Sequence, residues 1–127
     1  MGTVLADFVH IMGDGPVVVN QTAANVPVGF SRPFDTAGVR RDQSVILMFS
    51  VLPLDTNPLP AQGDVFINNV KVGSILDTVH GTFTMQTIII AKGEDTGFVE
   101  ADNRFVIKNV PRIFEIKSIV CFFHQES

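Results

Sequence analysis

Apolar and polar positions alternate along this chain in short runs, and some of the runs stop alternating partway. Near the C-terminus, Phe114 and Ile116 fall on one face of an extended segment, with Glu115 and Lys117 on the other. That is the period-2 pattern of a half-buried strand. After Ser118 the pattern changes, and Ile119, Val120, Cys121, Phe122 and Phe123 are apolar on both faces. A strand apolar on both faces needs both of them covered. The last quarter of the chain, Asn103 to His124, therefore predicts two strands joined at a Pro111-Arg112 corner, the second lying between two layers. Val45–Leu52 is a second two-sided run. Its β-branched Val45, Ile46 and Val51, and the Pro53 that follows, predict a buried central strand and not a helix.

The remaining segments are shorter. Residues 3–12 alternate weakly and predict a strand, closed by the turn signal Gly13-Asp14-Gly15-Pro16. Val17–Thr22 is a β-branched strand, and Val26–Phe30 another short one. Ser31–Ser44 reads as a loop carrying Arg32, Arg40 and Arg41, balanced by Asp35 and Asp42. Pro53–Gly63 is a proline-rich connection that cannot join a sheet interior. Asp64–Gly73 places Asn68-Asn69 between two apolar alternating runs. Asn tolerates the left-handed conformation, so a tight two-residue hairpin is expected there. Thr82–Ile90 is a strand with Phe83, Met85, Thr87 and Ile89 on one side, again two-sided at its end, and Lys92–Gly97 is a turn. Seven to nine strands, frequent turn signals and no convincing helix predict an antiparallel β-sandwich or barrel, one domain over residues 1–127.

The segment from Val65 to Phe123 resembles the second half of jelly-roll sandwiches of the galactose-binding-like kind. The likeness rests on the hairpin Val65-Phe-Ile-Asn-Asn-Val-Lys-Val-Gly73, on Asp102-Asn103 before an alternating strand, and on the closing strand Phe114–Phe123. It covers about half the chain and implies fold only, since such sandwiches occur in lectin-like modules, viral capsid and tail proteins and fibre subunits. Carbohydrate modules of that kind stack sugars on exposed Trp or Tyr, and this chain has neither, while most of its 11 Phe sit at core parity.

Composition narrows the function. Hydrophobic residues make up 46% and charged residues 17%, below the roughly 25% charged residues usual for soluble domains. Apolar surface buried against other subunits explains that balance better than an oversized core in so small a domain. Net charge is −4, and no basic cluster exceeds Arg40-Arg41, so the stripe that a nucleic-acid partner requires is missing. No basic leader with a long apolar run opens the chain, and no stretch reaches the roughly 20 apolar residues of a membrane span. The compartment is not readable. The one cysteine, Cys121, reads as a small buried hydrophobe.

Catalysis, metal and cofactor find little support. His10, His80 and His124 have no metal-ligand spacing, Ser74 lacks a nucleophile elbow, and Asp14, Asp35, Asp42, Asp55, Asp64 and Asp77 are scattered singly. The expected function is that of a non-catalytic structural subunit with no cofactor, self-assembling through apolar sheet surfaces as part of an appendage, fibre or virion. Val4–Met12 is expected to pair with a neighbour's sheet edge. Its Val4 and Phe8, with Ile119, Cys121 and Phe123, are the candidate homo-oligomer interface. The alternative is a carbohydrate- or receptor-binding module, on a phage tail for instance, using Arg32, Asp35, Arg40, Asp42 and Asn57.

Overall fold

In the computed structural model, the described residues are 4–19, 30–40, 43–54, 61–76, 81–90, 98–99, 101–111 and 113–126. They form nine strands: β1 (Val4–Met12), β2 (Val17–Val19), β3 (Phe30–Phe34), β4 (Val45–Pro53), β5 (Ala61–Ile67), β6 (Val70–Leu76), β7 (Thr84–Ile90), β8 (Asn103–Lys108) and β9 (Phe114–Glu126). The fold is an all-β, jelly-roll-like sandwich of two antiparallel sheets. A five-stranded sheet runs β1-β9-β4-β7, with β2 also on β9, and a four-stranded sheet runs β3-β8-β5-β6. The Pro111 corner carries the chain from β8 in the short sheet to β9 in the long one, where the two expected strands fall in opposite layers.

The core lies between the sheets. Val45, Leu47, Phe49 and Val51 of β4 and Phe114, Ile116, Ile119 and Cys121 of β9 face Val65 and Ile67 of β5 and Phe105 and Ile107 of β8. Of the 11 Phe residues, Phe30, Phe34, Phe49, Phe98, Phe105, Phe114 and Phe123 are buried. Gly73 on β6 allows a close approach to β7, since a Cβ there would meet Ile88 Cδ1 at 2.9 Å.

The break in pattern at Ser118 is a bulge. Inward parity passes from Phe114 and Ile116 to Ile119, Cys121 and Phe123, so one extra residue enters the strand. Ser118 takes a left-handed φ of 56°. Its N–H donates to the Gly13 carbonyl at 2.8 Å and its hydroxyl to Asp14 at 2.7 Å. The Gly13-Asp14-Gly15-Pro16 turn thus holds the bulge in place. That turn does not reverse the chain. β1 and β2 run end to end along the same side of β9, with Met12 opposite Ile119 and Val17 opposite Ile116.

Several segments match the sequence reading and some depart from it. Asn68 and Asn69 form the expected two-residue turn, with φ of 49° and 71°. The stretch Ser31–Ser44 is not all loop, because Phe30 and Phe34 bury at its start and make β3 a strand. Ala61 already belongs to β5 within the expected proline-rich connection. The Val26 end of the third expected strand and the Lys92–Gly97 turn lie outside the described residues. β1 pairs with β9 of its own chain from Val4 opposite Glu126 to Met12 opposite Ile119, so its sheet partner is internal and not a neighbour's edge.

A buried polar knot ties β3, the β5–β6 turn and β8 together. Asn103 is fully buried and donates to Thr36 Oγ1 (3.0 Å) and the Val99 carbonyl (2.7 Å). Its Oδ1 accepts from Asn68 Nδ2 (2.8 Å) and the Val99 N–H (3.0 Å). Asn103→Ala strands several of these groups without partners, and a buried polar group left unmet costs about 1–3 kcal/mol. The expected result is a urea midpoint lowered by an amount equivalent to about 2–3 kcal/mol, with no change in slope.

On the outer face of the short sheet, the Asp64 carboxylate accepts from Asn109 (2.8 Å) and Ser74 (3.3 Å) and pairs with Lys71 (3.2 Å). Partial burial pushes its carboxyl up, but the hydrogen bonds from Asn109 and Lys71, the Lys71 charge and the Ser74 hydroxyl together hold it below the usual value. A carboxyl depressed in the folded state adds stability above its unfolded pKa, and that stability is lost as pH falls through the folded one. Asp64→Asn is therefore expected to flatten the acid limb of the stability–pH curve. An unchanged limb in acid unfolding titrations would refute the assignment.

Candidate contact face

The two sheets present different outer faces. That of the short sheet is polar, with Arg104, Lys108, Lys71 and Asp64, and its outward Phe66 lies under the Lys108 ammonium at 4.8 Å. The outer face of the long sheet is apolar over half its length. Register places Phe8 beside Phe122, Phe122 beside Ile46, and Ile46 beside Ile89, a row crossing all four strands. The next row is His10, Val120, Met48 and Thr87. Phe8 is 56% exposed, Phe122 39% and Ile89 66%. No Asp, Glu, Lys or Arg stands in either row.

Charge returns beyond the bulge. Lys117 sits opposite Ser50 and Glu115 opposite Leu52, and the Lys117 ammonium covers the Phe83 ring at 4.2 Å. Phe8 and Phe122 instead meet each other, with centroids 6.1 Å apart, and Phe8 packs edge-on against His10 at 5.6 Å. These rings form a small aromatic cluster at the β1 side of the face.

The candidate interface from the sequence divides. Phe8 lies on this face. Ile119, Cys121 and Phe123 do not, being 0%, 0% and 4% exposed and facing the short sheet of the same chain. They are corrected to core residues. Both faces of 119–123 are indeed apolar, but the molecule itself covers the odd-numbered one, and Val120 and Phe122 occupy the outward one. Burial pushes the Cys121 thiol up to about 12, as a small buried hydrophobe requires. For Val4 the structure gives its place opposite Glu126 at the end of β1. Ile46, Met48, Val120, Phe122, Met85 and Ile89 were not assigned to the interface from the sequence. For Val120 and Phe122 the signal was the two-sided run, read for the wrong parity.

Of the alternative ligand residues, Arg32, Asp35 and Arg40 are described. Arg32 lies on β3 opposite Phe105, with its guanidinium over the Phe30 ring at 4.4 Å and donating to the Ser31 carbonyl. The Asp35 carboxylate accepts the Asp102 N–H at 2.9 Å, supporting the left-handed Asp102. Arg40 belongs to the far end of β9 in the other sheet, where its N–H donates to the His124 carbonyl at 2.7 Å. Asp42 and Asn57 lie outside the described residues. Among the described residues, no group of three or more His, Cys, Asp and Glu could hold a metal ion, and no helix is long and apolar enough to cross a membrane.

No protein-family model matches this sequence, and no curated protein matches it. Among solved structures, the chain is similar in fold to a mutant of a family 29 carbohydrate-binding module, studied for its mechanism of ligand recognition. The TM-score is 0.54 at 10% identity, over 91% of each chain. It also aligns with the VP2 subviral particle of infectious bursal disease virus (TM-score 0.35, 10% identity, 97% of this chain and 40% of that one) and with T=1 particles derived from infectious bursal virus (0.34, 12%, 97% and 39%). The chain thus spans about two-fifths of those viral chains, at scores too low to carry an argument. At such identity the first likeness establishes a sandwich fold and nothing finer.

Proposed function

We propose that residues 1–127 form one non-catalytic structural unit that associates with further copies of itself through the outer face of the long sheet. The observation that carries this reading is the uncharged row Phe8, Phe122, Ile46 and Ile89, which crosses the sheet and stays partly exposed. Exposed apolar patches of this kind mark contact sites in soluble proteins. Each side chain a partner covers contributes at most about 1.5–3 kcal/mol, against an association cost of about 4–15 kcal/mol. Association therefore has to engage the apolar row together with Val120 and Met48 of the next, and a flat face repeated on an identical copy does that. An appendage, fibre or virion component fits this role.

A second reading, binding of a carbohydrate or a cell-surface receptor, draws on the likeness in fold to a carbohydrate-binding module and on the exposed Phe8 ring beside His10. It is the weaker of the two, because the described candidates Arg32 and Arg40 engage different sheets. Sedimentation velocity from micromolar to millimolar concentration, with a glycan array at physiological salt, separates the two. Concentration-dependent association without glycan retention supports self-assembly. A persistent monomer that retains glycans overturns it.

A further inference from the structure

We propose that protonation of His10 releases copies of this chain from one another, so that association through the outer face of the long sheet holds at neutral pH and is lost in mild acid. This rests on the self-association argued above and names what regulates it.

His10 sits within the contact and not at its border. One row of the face is Phe8, Phe122, Ile46 and Ile89, and the next is His10, Val120, Met48 and Thr87. In these two rows His10 is the one side chain whose charge changes near neutral pH. It is exposed, and it shares its row with Val120 and Met48. A copy that covers those two meets the His10 ring as well. The Phe8 ring packs edge-on against it at 5.6 Å, so the imidazole belongs to the aromatic cluster of the face.

The charged groups around His10 are engaged elsewhere. On its own strand Asp7 has the opposite parity, and its carboxylate accepts the Phe8 N–H at 2.8 Å. In the turn after β1, Asp14 accepts the Ser118 hydroxyl at 2.7 Å. On β9 the residue opposite His10 is the apolar Val120, while Lys117 lies beyond the bulge over the Phe83 ring, and Glu115 lies further along. β3, which also packs on β1, carries Arg32, held over the Phe30 ring. His124 continues the outward parity of Phe122 opposite Ala6, with Nδ1 3.4 Å from the Ser44 carbonyl. Near it, Arg40 donates its N–H to the His124 carbonyl, and Glu126 stands opposite Val4. Among the described residues, none of these groups forms an ion pair with His10.

A neutral imidazole is a flat ring that an apolar contact accepts, whereas an unpaired imidazolium is costly to take out of water. Identical faces bring one His10 each, so acid places two like charges in the contact. Free copies therefore bind more protons than associated ones. Association strengthens as pH rises through the imidazole's range and is lost as pH falls through it.

Sedimentation velocity of the natural chain at about pH 8 and about pH 5, the two ends of that range, tests this, with circular dichroism to follow the fold. Association is expected to weaken about tenfold or more at the lower value. Equal association at both values overturns the switch and leaves the face standing. A folded monomer at both overturns the face, and the switch with it. His10→Gln, uncharged throughout, is expected to associate equally at the two values, and His124→Gln to keep the loss in acid. The reverse pattern overturns the assignment to His10. In the natural chain, the midpoint of the His10 imidazole titration, followed by NMR, is expected to move to lower pH as protein concentration rises. A midpoint that stays in place overturns the proposal.

Discussion

Truncating Phe105 to Ala is expected to lower the unfolding free energy by about 3–5 kcal/mol, the usual cost of removing a buried aromatic ring and leaving its cavity. Phe105 is fully buried on β8, and its ring meets Phe30 at 6.1 Å and Phe49 at 6.3 Å, both edge-to-face. Phe30 belongs to the short sheet and Phe49 to the long one, so this one ring joins the layers. The surroundings cannot easily close over the gap, because Phe49 and its β4 neighbours are held by ladders on both sides, to β7 and β9. Small domains have only about 5–15 kcal/mol in total, so the variant sits near the limit of stable folding. Phe66→Ala provides the contrast. Phe66 lies half-exposed on the outer face under Lys108, and its loss is expected to cost about 1 kcal/mol or less. Urea unfolding of the two variants measures both. Equal losses would mean that the layers are not joined through Phe105.

Local chemistry made much of this architecture legible. Asn68-Asn69 between alternating runs is enough to place a hairpin, because few residues tolerate two successive left-handed positions. The two-sided runs marked β4, β7 and β9 as strands with something on each side. What a linear reading lacked was the bulge. Ser118 carries no mark of its left-handed conformation, which Gly would have advertised. It is held by Gly13 and Asp14, more than 100 residues away in sequence, so the cause is tertiary. Without the bulge the parity of β9 cannot be carried through from Phe114 to Phe123, and the inward and outward residues of 119–123 are interchangeable on paper. β3 was hidden for a related reason. Arg32 and Pro33 interrupt an apolar pattern whose ends, Phe30 and Phe34, are buried, and the cation over the Phe30 ring replaces an apolar neighbour. Of the residues proposed for a ligand, Arg32 belongs to β3 and Arg40 bonds the end of β9, which lies in the other sheet, a separation that their closeness in sequence does not show.

Two adjacent phenylalanines turn the choice of face into an experiment. Phe123→Asp puts a carboxylate between the sheets, at a position only 4% exposed. The carboxyl either ionises in that apolar setting or stays protonated at the expense of its pKa, and either way several kcal/mol are lost. The expected result is loss of the cooperative thermal transition, at any protein concentration. Phe122→Asp places the same group one residue along, on the outward side, where water reaches it. The β1, β9 and β4 ladders are unchanged, and the fold is expected to keep its transition with a loss of about 1–2 kcal/mol for the Phe8 and Ile46 contacts. Self-association should disappear, because face-to-face packing of two copies would bring two uncompensated carboxylates into an apolar contact, where each costs far more than it does in water. Circular dichroism melts and sedimentation velocity on both variants read the two effects separately. If Phe122→Asp unfolds the protein, the outer face is part of the molecule's own core. If it folds and still associates as the natural chain does, the copies meet elsewhere, and the uncharged row of the long sheet has some other partner.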